Sequence, residues 1–244
     1  VRLKNGMDLK NHIVMAPMTR CFADENLVPT DEIAAYYERR ADAGLIITEG
    51  VIISPIAQGY HNTPGLYNDA QVAGWRKVTD RVHAAGGKIA AQIWHVGRAS
   101  HSIYHGGALP VAPSAIALEG RVARTKDLTY ETPRALTLDE IAATIEAYKT
   151  AAINAVKAGF DIVEIHGANG YLVDQFLHQA SNVRTDTYGG STENRARFAL
   201  EVVEAVIDGI GADKTAIRLS PAAYFNLTHT AGDEDTFKYL LAKL

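Results

Sequence analysis

Short β-branched runs alternate with longer amphipathic stretches along all 244 residues. No other property of the chain narrows its fold as far. An apolar run of four to seven residues, followed by a helix-period segment and then another such run, is the signature of βα units around a parallel sheet. Five units can be read. Strands are expected at 12–18, 45–48, 88–94, 161–166 and 215–219, with helices at 30–42, 70–85, 138–158, 192–210 and 233–244.

Local signals support these boundaries. Thr137-Leu-Asp-Glu140 forms a capping box, in which hydroxyl and carboxylate satisfy free amides of a first helical turn. Gly44, Gly86 with Gly87, Gly159 and Gly211 each follow a helix, where a left-handed residue ends it cheaply. Ahead of the first strand, Asn5-Gly6 sits between alternating residues, a hairpin signal that would plug one end of a barrel. The stretch from Val96 to about Arg134 is rich in Gly, Pro, Ser and His, and a loop of that length in a compact domain is usually functional. With no linker or low-complexity tract, residues 1–244 read as a single α/β domain of (β/α)₈ TIM-barrel type. Five strands do not close such a barrel, so the expectation is either an open sheet or a barrel lacking its last part.

Composition excludes several classes. A formal charge of −4 leaves no basic footprint for nucleic acid. No apolar run approaches the roughly 18 to 20 residues that cross a bilayer, and the start is not a signal peptide. Cys21 is the single cysteine, so neither an internal disulfide nor a four-cysteine zinc site can form. A cytoplasmic protein without membrane or nucleic-acid partners is expected.

In parallel α/β architectures chemistry gathers at the carboxyl ends of the strands. Polar or turn residues stand at every such exit here: Thr19 and Arg20, Glu49 and Gly50, Gln92, Trp94 and His95, His166 and Asn169, Arg218 and Ser220. Arg218 has apolar neighbours in a strand expected to be buried, so it needs an anion, either a structural carboxylate such as Glu164 or a ligand. Trp94 fits core packing as well as a substrate wall. The segment Glu164–Leu177 carries a strand into an Asn169-Gly170 turn, and such a turn can gather His166, Asn169 and Tyr171, which no single helical or strand period would do. His95, His101 and His105 lack carboxylate or thiol partners at ligand spacing, so a solvated loop is expected there and no metal site.

Taken together, Val14-Met-Ala-Pro-Met-Thr-Arg20, Ile47-Thr-Glu-Gly50, Ala91-Gln-Ile-Trp-His-Val-Gly-Arg98, His166-Gly-Ala-Asn-Gly-Tyr171, Arg184-Thr-Asp-Thr-Tyr-Gly-Gly-Ser-Thr-Glu-Asn-Arg-Ala-Arg-Phe198 and Arg218-Leu-Ser-Pro221 resemble the Old Yellow Enzyme family of FMN-dependent ene-reductases. The resemblance runs from the hairpin to the last helix. It implies an oxidoreductase that uses NADPH or NADH to reduce the activated C=C bond of α,β-unsaturated carbonyl compounds. By the same resemblance Pro17, Met18, Thr19, Gly50, Gln92 and Arg218 contact FMN, with Arg218 near N1 and O2, where reduction builds negative charge. His166 and Asn169 become donors to the enone oxygen, Tyr171 the proton donor to the α-carbon, and Trp94 and Tyr67 the pocket lining. The segment 184–198 is expected to be architectural.

The family closes its barrel with three more βα units and holds the FMN phosphate near strands seven and eight. The expectation is therefore a truncated chain whose partner is the missing C-terminal portion or a self-associating copy. A catalytically silent fragment and a non-flavin barrel lyase using His166 and Tyr171 are the alternatives.

Overall fold

The computed structural model describes residues 1–222 and 226–244. Its chain order is β1 (Val14–Met15), α1 (Asp31–Glu38), β2 (Leu45–Ile52), α2 (Asp69–Ala84), β3 (Ile89–Trp94), β4 (Val111–Ala112), β5 (Arg134–Ala135), α3 (Leu138–Lys157), β6 (Ile162–Gly167), α4 (Leu172–Leu177), α5 (Thr192–Ile210), β7 (Thr215–Leu219) and α6 (Asp233–Lys243). Strands β1, β2, β3, β6 and β7 form one sheet in that order, parallel throughout, with β1 and β7 at its edges.

Strands β2, β3 and β6 are buried along their whole length, as expected of a sheet covered on both faces. Ile46, Ile52, Ile89, Ile93 and Ile165 join Tyr37, Trp75, Tyr148 and Phe198 of the surrounding helices in one core. A second, smaller core lies at the amino ends of the strands. There Leu3 and Met7 of the N-terminal hairpin pack on Leu9, Leu45, Ile47, Ala90 and Ile162. The expected plug is thus in place, its turn carried by Gly6 at φ +86°.

The remaining differences from the sequence reading have local causes. Strand β1 pairs over only two residues, because Pro17 has no N–H to give a ladder. Strand β2 continues to Ile52 through a one-residue bulge, in which three residues of β2 (48–50) advance against two of β3 (91–92). Gly50 therefore lies inside the strand. Helix α1 stops at Glu38, where the chain tightens into turns from Arg40 to Tyr37, Ala41 to Glu38 and Ala43 to Arg40. Gly44 does not end that helix with a left-handed residue; a Cβ there would lie 2.2 Å from the Asn11 carbonyl oxygen. Gly159 and Gly211, at φ +91° and +87°, do act as left-handed stops. The capping box at Thr137 forms in both directions. Helix α4 is fully buried, so it lacks the polar face that would announce it.

The long stretch after β3 is ordered by contacts to the rest of the domain. His95 is 1% exposed and Val96 through Ser100 are buried, which corrects the expectation of a solvated loop for His95, whereas His101 and His105 are half-buried. Each imidazole serves the local backbone or a neighbouring hydroxyl: His95 Nδ1 accepts from the Gly97 amide at 3.0 Å, His101 Nδ1 from Ile103 at 3.1 Å, and His105 Nε2 meets Ser100 Oγ at 2.9 Å. Farther on, Arg121 and Thr129 bridge a small hairpin whose tip residue, Arg124, donates to the carbonyls of Thr19 (2.7 Å) and Arg20 (3.2 Å). No helix among the described residues is long and apolar enough to cross a membrane.

Candidate active site

The bulge in β2 sorts the side chains of Thr48, Glu49 and Gly50. Thr48 Oγ1 accepts the Gln92 amide at 3.1 Å, filling the ladder position that the bulge leaves open. Glu49 turns toward α1, where its amide donates to Tyr37 Oη at 2.8 Å. Its carboxylate accepts from the Arg20 and Cys21 amides at 3.0 and 3.2 Å. Burial raises the Glu49 pKa against the pull of those donors. The loop carrying Thr19 is therefore pinned on one side by Glu49 and on the other by Arg124. Gly50 faces the indole of Trp94, and a Cβ there would come within 2.3 Å of Trp94 Cε3. Only glycine fits.

Two tiers of side chains rise from the sheet toward its carboxyl end. In the lower tier Gln92 Nε2 donates to Glu164 Oε1 at 2.7 Å, and Arg218 Nε donates to the same oxygen at 2.9 Å. Glu164 thus links β3, β6 and β7, and the structural partner anticipated for Arg218 is present. The Arg218 side chain remains 35% exposed beside it, so part of its guanidinium can still meet a ligand.

The upper tier is aromatic. Trp94 and His166, each two residues beyond a lower-tier residue and so on the same face, stack with centroids 5.9 Å apart. Tyr171 meets Trp94 edge-on at 4.8 Å and His166 at 5.1 Å. His166 is buried, and burial together with the Arg218 charge lowers its pKa to about 3, so the ring is neutral at pH 7. Its Nδ1 has no hydrogen-bond partner among the described residues. Burial also pushes the Tyr171 phenol far above its ordinary pKa, so Tyr171 keeps its proton.

These residues enclose a cleft of about 100 Å³ lined by Pro17, Thr19, Gly50, Gln92, Trp94, His166, Asn169 and Tyr171. Eight of the expected site residues are thereby brought together from four strand exits. Met18 is 51% exposed and does not line the cleft, and Arg218 also lies outside the lining, tied to Gln92 through Glu164. Tyr67 is also outside the lining; its amide donates to Gln71 Oε1 at the start of α2, and its side chain packs on the core. Tyr60 instead packs behind two lining residues, its hydroxyl 2.9 Å from that of Tyr171 and its ring 5.4 Å from Trp94. No local period marks Tyr60, which follows a short 3₁₀ turn at Pro55–Ala57.

The cleft suits a flat heteroaromatic ring with hydrogen-bonding edges. Thr19 and Gln92 contribute polar groups to its lining, Gly50 leaves room where any Cβ would intrude, and His166 carries a buried ring nitrogen without a partner among the described residues. The signature segment at 184–198 has other partners. Arg184 Nη1 donates to the Pro113 and Leu136 carbonyls at 2.8 and 2.7 Å, and Arg195 Nη1 to the Gly190 carbonyl at 2.6 Å. The segment ties the outer loops together, in keeping with the architectural reading.

Comparison with known proteins agrees with this arrangement. Rice (Oryza sativa subsp. japonica) 12-oxophytodienoate reductase 7 is 48% identical over 220 residues, which make up 88% of this chain and 56% of that protein. The structure of the Old Yellow Enzyme homologue from Zymomonas mobilis superposes with a TM-score of 0.94 at 44% identity, covering 100% of this chain and 68% of that one. Morphinone reductase in complex with tetrahydroNAD gives a TM-score of 0.88 at 48% identity, covering 95% and 66%. The chain thus spans between 56% and 68% of the length of these relatives. With all of residues 1–244 matching its pattern, and with the parallel βα order and the strand-exit cleft already described, the chain belongs to the NADH:flavin oxidoreductase / NADH oxidase family, that of the Old Yellow Enzyme homologues.

Proposed function

We propose that this domain provides the ring-binding and substrate-binding half of an FMN-dependent ene-reductase that draws on NADPH or NADH. The observation that carries this reading is the meeting of Thr19, Gly50 and Gln92 with His166, Asn169 and Tyr171 around one cleft. When bound, FMN would supply the hydride; the residues of this chain supply orientation and a proton. Pro17, Thr19, Gly50 and Gln92 would hold the ring, and Arg218, fixed by the Glu164 that also binds Gln92, would supply a cation to favour the negative charge of its reduced form.

His166 and Asn169 donate to the carbonyl oxygen of an α,β-unsaturated substrate. A neutral imidazole suits this role, because it polarises the carbonyl by hydrogen bonding without surrendering its proton. Tyr171, protonated at every physiological pH, gives a proton to the α-carbon, and Tyr60 stands within hydrogen-bond reach to share the charge that develops on its oxygen. Trp94 walls the pocket and, with Gly50, fixes its depth.

The test is spectroscopic and kinetic. The purified chain is titrated with FMN and followed by flavin absorbance, then assayed for NADPH or NADH oxidation with an enone such as cyclohexenone. Stoichiometric flavin and enone-dependent oxidation are expected, either from the chain alone or once it is combined with a segment supplying the rest of the barrel. Absence of flavin binding under both conditions would reject the reading.

A further inference from the structure

The Asn169-Gly170 turn holds two successive left-handed residues, at φ +60° and +74°. Asparagine tolerates that backbone better than most non-glycine residues, and here the surroundings fix it. They do so through Asp174. Its Oδ2 accepts the Gly170 amide at 2.9 Å and the Ser220 hydroxyl at 3.3 Å, and Ser220 Oγ in turn accepts the Asn169 amide at 2.8 Å. Both backbone amides of the turn therefore depend, directly or through Ser220, on one carboxylate.

That carboxylate is not free to do so alone. Asp174, His178 and Asp233 are each fully buried, and the imidazole lies between the two acids. His178 Nε2 is 3.2 Å from Asp174 Oδ1, and Nδ1 is 2.9 Å from Asp233 Oδ2. Carboxylates only accept, so an imidazole hydrogen-bonded to both through its two nitrogens carries two N–H groups and a positive charge. Asp233 is anchored by the Gln179 amide at 2.9 Å and the Thr230 amide at 2.7 Å. His229, 45% exposed, approaches Asp233 from outside at 3.8 Å, and the Arg195 guanidinium adds a positive field. Without the imidazolium, two buried carboxylates would face each other across its site, at a cost of several kcal/mol.

We propose that His178 is a fixed imidazolium and a positioning residue, which holds Asp174 in place and through it sets the Asn169-Gly170 turn, so that the start of α6 governs the position of Asn169. The functional weight of Asn169 rests on the proposed carbonyl-binding role, whereas the positioning itself does not. The His178 pKa agrees with the geometry: burial alone would lower it, but the hydrogen bonds and charges of Asp174 and Asp233 raise it overall.

The experiment uses the full chain and needs no turnover. Long-range ¹⁵N–¹H spectra of the histidine rings at pH 7.5 should show both His178 nitrogens protonated; a neutral tautomer at that pH would overturn the proposal. In parallel, amide hydrogen exchange is compared between the unmodified chain and His178→Gln, with Asp233→Asn as the milder second variant. Exchange at 168–171 should accelerate at least about tenfold while β3 stays protected. Unchanged exchange at 168–171, or a uniform loss of protection across the domain, would reduce the ion triad to ordinary core packing. Because neither readout involves flavin or an enone, failure of the ene-reductase reading would remain distinguishable from failure of this one.

Discussion

The hydroxyls of Tyr60 and Tyr171 lie 2.9 Å apart, although 111 residues separate them in the chain. Their hydrogen bond joins the segment after β2 to the turn after β6 and places a second phenol behind the candidate proton donor. Burial raises the pKa of both phenols. The pair is therefore neutral and can pass a proton without a permanent charge.

From this pairing, Tyr171→Phe should leave flavin reduction by NADPH or NADH intact and slow enone-dependent reoxidation by about 10²-fold or more, the usual range for a positioned general acid. Tyr60→Phe, which removes the neighbour and keeps the donor, should cost less. Stopped-flow measurement of the two half-reactions separates the outcomes, and equal reoxidation rates in Tyr171→Phe and the unmodified protein would remove that residue from its role.

Gly50→Ala forces a Cβ to within 2.3 Å of the Trp94 ring. Trp94 is 1% exposed and cannot swing into solvent, so overpacking of about 1–3 kcal/mol is expected, together with weaker flavin binding. Urea unfolding and an FMN titration report the two effects. A variant as stable as the parent would show that the indole can shift.

Glu164→Gln takes away the carboxylate shared by Gln92 and Arg218. The guanidinium is partly exposed, so the loss should stay near about 1–2 kcal/mol, below the cost of breaking a fully buried pair. Flavin affinity should fall as well, because Arg218 loses its fixed orientation; chemical denaturation and fluorescence titration measure both.

Acid should destabilise the fold through two buried neutral histidines. The His95 pKa is lowered to about 3 by burial and His105, and that of His166 to about 3 by burial and Arg218, from an ordinary value of 6.5. Below pH 6.5 the unfolded chain takes up protons that the folded chain refuses, so stability is full above 6.5 and declines from there toward 3. Each histidine contributes a slope of up to about 1.4 kcal/mol per pH unit. Unfolding free energies at pH 7.5 and 5.5, compared with those of His166→Asn, should show a shallower dependence in the variant.

Short-range chemistry made most of the frame legible in advance. The capping box at Thr137, the left-handed stops at Gly159 and Gly211, the hairpin at Gly6 and the apolar runs of β3, β6 and β7 each depend on residues within a few positions of one another. Strand-exit logic likewise brought Thr19, Gly50, Gln92, Trp94, His166 and Asn169 to one end of one sheet, the Asn169-Gly170 turn added Tyr171, and the family resemblance implied a role for each. Helix α4 escaped because a fully buried helix shows no amphipathic period.

Other features were decided by tertiary structure alone. The bulge that turns Glu49 outward and Gly50 inward depends on register against β3, which no local pattern of β2 encodes. The hydrogen bond of Tyr60 with Tyr171, the burial of His95, and the ion triad of Asp174, His178 and Asp233 depend on segments brought together from distant parts of the chain. Sequence determines what each side chain can donate, accept or fill over a few neighbouring residues. Which distant group it meets is set by packing, because only the folded sheet brings those groups within hydrogen-bond distance.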